Sequence, residues 1–189
     1  LDKLKKYIAK LEDTNTILEE EKERSDYLAN RDYLTGIFNR RYMVERMKEE
    51  YVRFLRYKEI FAIGIFDIDN FKKINDTYGH ECGDFILVSL TKSISESIRK
   101  IDCFARWGGE EFIVMLPKTD LEGAAVLFEK IRGKVENTKY SYNDFNLNIT
   151  FTCGIAEISN EETIDNCIVR ADKALYKGKI SGKNQIVKG

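Results

Sequence analysis

The feature that most constrains the fold is the continuous apolar run Phe-Ala-Ile-Gly-Ile-Phe at residues 61–66. A strand can be apolar throughout when both of its faces are covered, as at the centre of a sheet with helices on each side. Segments with helical spacing precede and follow this run, and further strand patterns alternate with them. The sequence therefore predicts an α/β fold in which a central sheet of about five strands is surrounded by helices.

Periodicity predicts the individual elements. The predicted helices cover residues 39–56, 83–100, 121–135 and 164–176, and the predicted strands cover residues 61–66, 103–107, 111–116, 147–158 and 185–187. Gly108-Gly109 joins two of these strands and predicts a tight hairpin with positive φ at both glycines. Pro117, the only proline, ends the second arm of that hairpin.

The first thirty residues contain no glycine or proline and repeat their apolar positions every seven residues. The a positions are Leu1, Ile8, Asn15 and Lys22, and the d positions are Leu4, Leu11, Leu18 and Ser25. The e and g positions are mostly charged, which favours a parallel coiled coil over an amphipathic helix packed on its own domain. We therefore predict a coiled-coil dimerisation helix over residues 1–30 and a globular domain over residues 31–189.

Composition excludes several classes of protein. The 31 basic and 32 acidic residues nearly balance, so no basic excess supports a nucleic-acid partner. No apolar run approaches the roughly 18 residues of a membrane span, and we expect no membrane contact. The four cysteines form no C-x-x-C pair, which argues against zinc and disulfides and indicates a reducing, cytoplasmic location. The chain begins with leucine, so we expect it to belong to a longer protein whose membrane anchor, where it has one, lies upstream.

Three neighbouring patterns point to chemistry. Carboxylates end the buried strand at residues 66–69, and two more stand beside the glycine pair at residues 108–111. Residues 70–73 form a predicted turn in which backbone N–H groups and a lysine can hold phosphate. Taken alone, any one of these carboxylates is explained equally well as a solvated charge at a strand end. Together they indicate Mg²⁺-assisted phosphoryl transfer on a nucleotide.

The same segments resemble the ordered motifs of the GGDEF diguanylate cyclases. The matching segments are DYLTGIFNRR at residues 32–41, FDIDNFKKINDTYGHECGD at 66–84, RWGGEEF at 106–112 and ADKALY at 171–176. The resemblance spans about residues 32–188 and implies a fold related to the palm of nucleotidyl cyclases and polymerases. It also implies that two GTP are condensed into cyclic di-GMP with release of two pyrophosphates, by a homodimer.

The resemblance implies a metal and catalytic set. Asp67 and Glu110 would bind metal through their side chains and Ile68 through its backbone carbonyl, and Glu111 would serve the second metal. Two Mg²⁺ or Mn²⁺ ions per active site are implied. Glu110 and Glu111 are the implied catalytic residues, and either Glu110 or a hydroxide on the metal would be the base that activates the 3′-hydroxyl.

The resemblance also implies the substrate contacts. Asn75 and Asp84 would bind the guanine edge, and Leu34 would line its pocket. The implied triphosphate contacts are Asn70, Phe71, Lys72, Lys179 and Lys183, with Gly108 and Gly109 letting the hairpin backbone lie against the ligand. Lys183 stands where the family more often has arginine. The lysine offers a point charge in place of the bidentate donor that arginine would provide. Gly178 stands where alanine is commoner, which weakens the helix end slightly.

Arg99 and Asp102 match the spacing of the family's R-x-x-D inhibitory site for bound product. Taken alone, an ion pair at a helix end explains these two residues, but the position of Asp102 eight residues before Glu110 favours the inhibitory site. The arginine that completes such sites is not evident, and Lys130 and Arg132 are the two candidates. His80, the only histidine, is expected to have a structural role.

Two other functions remain open alongside the cyclase. One is a catalytically idle GGDEF domain that senses GTP or cyclic di-GMP. The other is a purely structural dimerisation module, which leaves the carboxylates unexplained.

Overall fold

The structure is a computed structural model that describes residues 2–189, with the side chains of residues 2, 8, 9 and 23 excepted. The predicted a positions Leu1 and, for its side chain, Ile8 therefore lie outside the described residues. The helices are α1 (Asp2–Asn30), α2 (Arg40–Tyr57), α3 (Phe71–Tyr78), α4 (His80–Ser95), α5 (Leu121–Glu136) and α6 (Ile164–Ile180). The strands are β1 (Phe38–Asn39), β2 (Phe61–Ile68), β3 (Cys103–Gly108), β4 (Glu111–Pro117), β5 (Tyr140–Tyr142), β6 (Phe145–Leu147), β7 (Phe151–Glu157) and β8 (Ile186–Lys188).

The main sheet has the strand order β1-β3-β4-β2-β7-β8. The apolar strand β2 lies inside it, antiparallel to β4 on one side and to β7 on the other. The predicted α/β fold is confirmed, and the sheet has six strands where about five were predicted. The sixth strand is β1, whose two residues Phe38 and Asn39 pair in parallel with β3 and are too few to produce a periodic pattern.

Hydrophobic cores cover both faces of the sheet, which explains why β2 is apolar throughout. On one face Phe66 and Phe112 pack with Phe128 of α5. On the other face Ile63 packs in the same cluster as Met43 of α2. All four cysteines are buried, as expected of small core residues.

The backbone of α6 lies directly against β7. A Cβ added at Gly154 would lie 2.0 Å from the carbonyl oxygen of Ala171 and 2.3 Å from the amide nitrogen of Leu175. Only glycine permits this approach. The close packing carries the C-terminal half of α6, including Lys179, to the edge of the sheet where β2 ends.

Several predicted boundaries are wrong. Residues 71–73, predicted as a turn, open the helix α3, because the turn itself is confined to Asn70 at φ 58°. The helix predicted from residue 83 to 100 begins at His80, after Gly79 at φ 87°, and ends at Ser95. The strand predicted over residues 147–158 is interrupted, since Leu147 closes the separate β5–β6 hairpin and β7 begins only at Phe151.

Helix α1 is confirmed as a helix over nearly its whole predicted length. The side chains of Leu4, Leu11 and Leu18 at the d positions are 63%, 63% and 56% exposed, so they do not pack on their own domain. At its C-terminal end the helix is held firmly, because the side chains of Asn39 and Arg41 both donate to the carbonyl oxygen of Ala29 at 2.8 Å.

Among the described residues, no helix combines the length and the apolar composition that crossing a lipid bilayer requires.

Candidate active site

The acidic residues of the predicted site lie at one edge of the sheet. Asp67, near the end of β2, is the direct Cα partner of Glu111 at the start of β4. Gly108 pairs with Glu111, so Gly109 and Glu110 form the hairpin tip between β3 and β4. The register of the two strands therefore brings Asp67 close to Glu110 and Glu111, although it is distant from them in sequence.

The conformation of the hairpin differs from the prediction. Gly109 has a positive φ of 40°, whereas Gly108 is not among the positive-φ residues. The pairing of β3 with β4 shifts register between Arg106 and Gly108, and this irregularity places Gly108 in the strand instead of the turn. The prediction of positive φ at both glycines was thus wrong.

One arginine fixes the hairpin tip. The Nε of Arg106 donates to the carbonyl oxygen of Gly109 at 2.9 Å, and its guanidinium binds the carboxylate of Asp32 at 3.1 Å. Asp32 also accepts hydrogen bonds from the backbone and side chain of Thr35. Both Asp32 and Arg106 belong to segments that the sequence singled out, but nothing in the pattern indicated that they contact each other.

The carboxylates at this edge repel one another. Burial raises the pKa of Asp67, and the nearby charges of Glu110 and Asp69 raise it further against the opposing effect of Lys179. Burial also raises the pKa of Glu111, reinforced by Asp67, Asp172 and Glu110. A site that raises the pKa of several carboxyl groups favours the arrival of a cation.

Lys179 is the cation that the chain itself provides. Its Nζ donates to the carboxylate of Asp67 and to that of Asp69, the latter at 3.0 Å, and it also contacts the carbonyl oxygen of Asp67 at 3.2 Å. A cavity of about 550 Å³ lies beside this group and is lined by Asp67, Glu111, Asp172 and Lys179 among others.

The donor atoms suit Mg²⁺. Among the side chains that the structure describes, no group of three or more His, Cys, Asp or Glu residues is arranged to hold a metal. Magnesium is usually held by one or two protein carboxylates together with waters and substrate phosphates, so such a group is not required. Asp67, Glu110 and Glu111 offer carboxylate oxygens and Ile68 a backbone carbonyl oxygen, which is the ligand chemistry that this ion prefers.

The predicted phosphate-binding segment follows β2. Asn70 adopts the left-handed conformation, and its side-chain oxygen accepts from the Nζ of Lys183 at 2.6 Å. Phe71 is buried in the core and Lys72 is exposed to solvent. The structure thus brings Lys179 and Lys183, more than a hundred residues along the chain, to the segment at the end of β2.

The predicted guanine contacts lie where α3 meets α4. Asn75 packs on Gly83, since a Cβ added at Gly83 would lie 1.9 Å from the Asn75 side-chain oxygen. That oxygen is buried and, within the described part of the chain, accepts no hydrogen bond. Asp84 is exposed next to it, and Leu34 is partly buried against the core on the same face of the sheet.

Arg99 and Asp102 lie in the loop between α4 and β3. The Asp102 carboxylate accepts from the backbone N–H of Arg99 at 2.8 Å, while its other oxygen is buried without a partner in the described structure. Burial raises the pKa of Asp102. A recess of about 210 Å³ beside the pair is lined also by Arg31 and Phe38, and the Arg31 guanidinium lies 3.9 Å from the Phe38 ring centroid.

Lys130 and Arg132, the two candidates for completing the inhibitory site, do not line this recess. Arg132 binds Glu129, Glu136 and Asn184, and neither it nor Lys130 is among the residues that line the recess. Arg31 was missed because it precedes the motif in sequence and reaches the recess only through the fold.

Comparisons with known proteins agree with this geometry. The family model "Diguanylate cyclase, GGDEF domain" matches residues 29–185. The chain is 36% identical over 155 residues to diguanylate cyclase DgcP of Pseudomonas aeruginosa, covering 82% of this chain and 23% of that protein. The chain spans less than half the length of the first curated relatives it matches.

Solved structures match both parts of the chain. The coiled coil and GGDEF domain of DgcB from Caulobacter crescentus, in complex with c-di-GMP, has a TM-score of 0.91 at 27% identity, covering 98% of this chain and 99% of that one. Diguanylate cyclase SiaD of Pseudomonas aeruginosa, in complex with its activator SiaC, has a TM-score of 0.85 at 33% identity, covering 100% and 73%.

Proposed function

The chain belongs to the GGDEF diguanylate cyclase family, and from this premise we propose that it condenses two molecules of GTP into cyclic di-GMP. The observation that carries the proposal is the meeting of Asp67 with the Gly109-Glu110-Glu111 turn at one sheet edge, beside two lysines from the end of the chain. Carboxylates that repel one another can bind a metal ion, and neighbouring lysines can donate hydrogen bonds to phosphate. Together they suit a metal-bound nucleoside triphosphate.

The carboxylates of Asp67, Glu110 and Glu111 and the carbonyl of Ile68 would hold two Mg²⁺ or Mn²⁺ ions. When bound, these ions would offset the charge of the phosphates and lower the pKa of the attacking hydroxyl. Glu110 at the hairpin tip would accept the proton of the 3′-hydroxyl. Holding the reacting groups in place supplies much of the remaining acceleration.

The triphosphate would lie between the end of β2 and the end of α6. Lys179 and Lys183 would bind its β- and γ-phosphates together with exposed Lys72 and the backbone of Asn70 and Phe71. Gly108 and Gly109, both exposed, leave the hairpin backbone open to the ligand. Because Lys179 neutralises Asp67 in the free protein, it would exchange this carboxylate for phosphate when substrate binds.

Asn75 and Asp84 would select guanine. The buried, unsatisfied oxygen of Asn75 and the adjacent exposed carboxylate of Asp84 are acceptors for the N–H groups of guanine. Adenine lacks these donors at the same positions, so it would leave both acceptors unpaired and bind more weakly. Leu34 would line the apolar side of the base.

The product is a two-fold cyclic dinucleotide, so two GTP-loaded domains must face each other. Each 3′-hydroxyl attacks the α-phosphate of the opposite GTP, and the bond from that phosphorus to pyrophosphate breaks. We assign residues 1–30 to the coiled coil that tethers the two domains and residues 31–189 to the cyclase domain. The exposed leucines along α1 support this division, because they need a partner to cover them.

Product would also inhibit the enzyme at Arg99 and Asp102. An exposed arginine can bind a phosphate or a guanine edge, and the unpaired Asp102 oxygen can accept from guanine. Arg31 lines the same recess and adds a second guanidinium to it.

The direct test is to incubate the purified chain with GTP and Mg²⁺ and to look for cyclic di-GMP by chromatography. Glu110→Gln should abolish product formation, whereas Glu45→Gln, an exposed position on α2, should not change it. No product from the unaltered chain would exclude the cyclase. A subsequent GTP-binding titration would then separate a nucleotide sensor from a structural module.

A further inference from the structure

Asp69 is a buried carboxylate to which the proposed function gives no contact with substrate. It is 4% exposed, and four groups donate to it from two stretches of the chain, residues 150–152 and residues 179–184. The donors are the hydroxyls of Thr150 and Thr152 at 2.7 Å each, the backbone N–H of Asn184 at 2.9 Å, and the Nζ of Lys179 at 3.0 Å. A buried charge is tolerated only where such donors satisfy it.

The loop that Asp69 holds through Asn184 is strained. Lys183 and Asn184 have φ angles of 64° and 46°, a left-handed conformation that non-glycine residues seldom adopt and that asparagine adopts more readily than lysine. Such a conformation persists only where surrounding contacts impose it. For this loop, the contacts include the Asn184 side chain, which accepts from Arg132 at 2.8 Å and donates to Glu136 at 2.7 Å.

The strained loop determines where Lys183 points. Its backbone N–H donates to the carbonyl oxygen of Gly178 at 2.9 Å, and its Nζ reaches the side chain of Asn70, at the start of the phosphate-binding segment. Lys179 meets the same carboxylate from the helix α6. Asp69 thus contacts Lys179 directly. It contacts the loop that carries Lys183 through the backbone of the next residue, Asn184.

We propose that Asp69, with Asn184, is a positioning residue that fixes Lys179 and Lys183 at the points where they bind the triphosphate. This inference rests on the proposed function and deepens it. Charged side chains on flexible stems lose much conformational freedom when they bind a ligand, so lysines already held in place bind phosphate more tightly.

A purely structural carboxylate would behave differently from a positioning one. Loss of a structural residue would weaken binding of every part of the nucleotide or lower the stability alone. Loss of a positioning residue for the phosphates would weaken binding in proportion to the number of phosphates the two lysines contact. The comparison of a triphosphate with a monophosphate of the same base distinguishes these cases.

The experiment measures the affinity for 3′-deoxy-GTP, which lacks the attacking hydroxyl and cannot react, and for GMP. Asp69→Asn should weaken binding of 3′-deoxy-GTP by roughly tenfold or more, as expected when charge-assisted hydrogen bonds are lost. Its affinity for GMP should change less than about twofold. Asp144→Asn, in the exposed turn of the β5–β6 hairpin, makes the same chemical change and should leave both affinities unaltered.

A second variant keeps the test decisive if Asp69→Asn does not fold. Asn184→Gly tolerates the positive φ and keeps the backbone N–H that donates to Asp69, but it removes the side-chain contacts to Arg132 and Glu136. The loop should therefore fold yet be more mobile, with the same selective loss for the triphosphate. Equal losses for both nucleotides, or none, would overturn the positioning role alone. Failure of the unaltered chain to bind either nucleotide would overturn the proposed function as well.

Discussion

The guanidinium of Arg106 lies 3.1 Å from the carboxylate of Asp32, and both side chains are only about 15% exposed. Asp32 follows the end of α1 by two residues, whereas Arg106 also holds the carbonyl oxygen of Gly109 at the hairpin tip. A single ion pair therefore connects the base of the N-terminal helix to the turn that carries Glu110.

Asp32→Asn should destabilise the fold and lower turnover. Loss of hydrogen bonds to a charged, half-buried partner costs about 1–3 kcal/mol of unfolding free energy. With Arg106 released, the tip loses its anchor, so kcat should fall more than KM rises. Urea unfolding and steady-state kinetics measure the two effects. Asp26→Asn, an exposed position on α1, is the matched control, and equal behaviour of the two variants would contradict the role of the pair.

The same pair predicts a pH dependence. Burial alone would raise the pKa of Asp32, but hydrogen bonds from Thr35 and the Arg106 guanidinium outweigh it and lower the pKa below its ordinary value. A carboxyl with a lowered pKa stabilises the fold when ionised, and this contribution is lost as the pH falls through the lowered pKa. Stability measured between about pH 5 and about pH 2 should therefore decline less steeply in Asp32→Asn than in the unaltered chain.

Mg²⁺ should stabilise the free protein more at neutral than at acidic pH. The pKa values of Asp67 and Glu111 are raised, so each carboxyl destabilises the fold when ionised, and stability declines as the pH rises through the raised values. A divalent cation binds the ionised forms and competes with protons. At ten times its Kd it would add about 1.4 kcal/mol.

Thermal unfolding with and without Mg²⁺, at about pH 7.5 and about pH 4.5, measures this difference. The shift in Tm should be a few degrees at the higher pH and much smaller at the lower one. Asp67→Asn removes one of the proposed ligands and should abolish most of the shift. A shift that is the same at both pH values, or the same in the variant, would exclude these carboxylates as the cation site.

The sequence predicted the parts of this site but not how they are joined. The apolar run of β2 and the glycine pair before Glu110 identified the two elements that meet at the sheet edge. The contact of Lys179 with Asp67 depends instead on the close packing of α6 against Gly154, which no periodicity reveals. Likewise, Asp69 reads as one more strand-end carboxylate until the fold brings Thr150, Thr152 and Asn184 to it.

Arg99→Ala should relieve inhibition by product without lowering stability. The side chain of Arg99 is exposed, whereas the Asp102 carboxylate accepts the backbone N–H of residue 99 and supports the loop. Initial rates with added cyclic di-GMP measure the effect, and the concentration that halves the rate should rise at least about tenfold, the loss expected for a charge-assisted contact. Lys92→Ala, which removes an exposed charge on α4 outside the lining of the recess, is the control. Unchanged inhibition in Arg99→Ala would remove this assignment.

Leu18→Glu should separate the two chains of the proposed dimer, whereas Ile17→Glu should not. The two neighbouring side chains are each 56% exposed, so single-chain burial does not distinguish them. Leu18 lies at a d position of the seven-residue repeat and would face the partner helix, while Ile17 lies at a c position, outside the seam.

Mass by light scattering over a range of protein concentrations should show a weaker dimer only for Leu18→Glu. Turnover should fall in parallel at low concentration and recover at high concentration, because the tether raises the effective concentration of the second domain. Equal weakening by both substitutions would indicate a general loss of helix instead of a seam at Leu18.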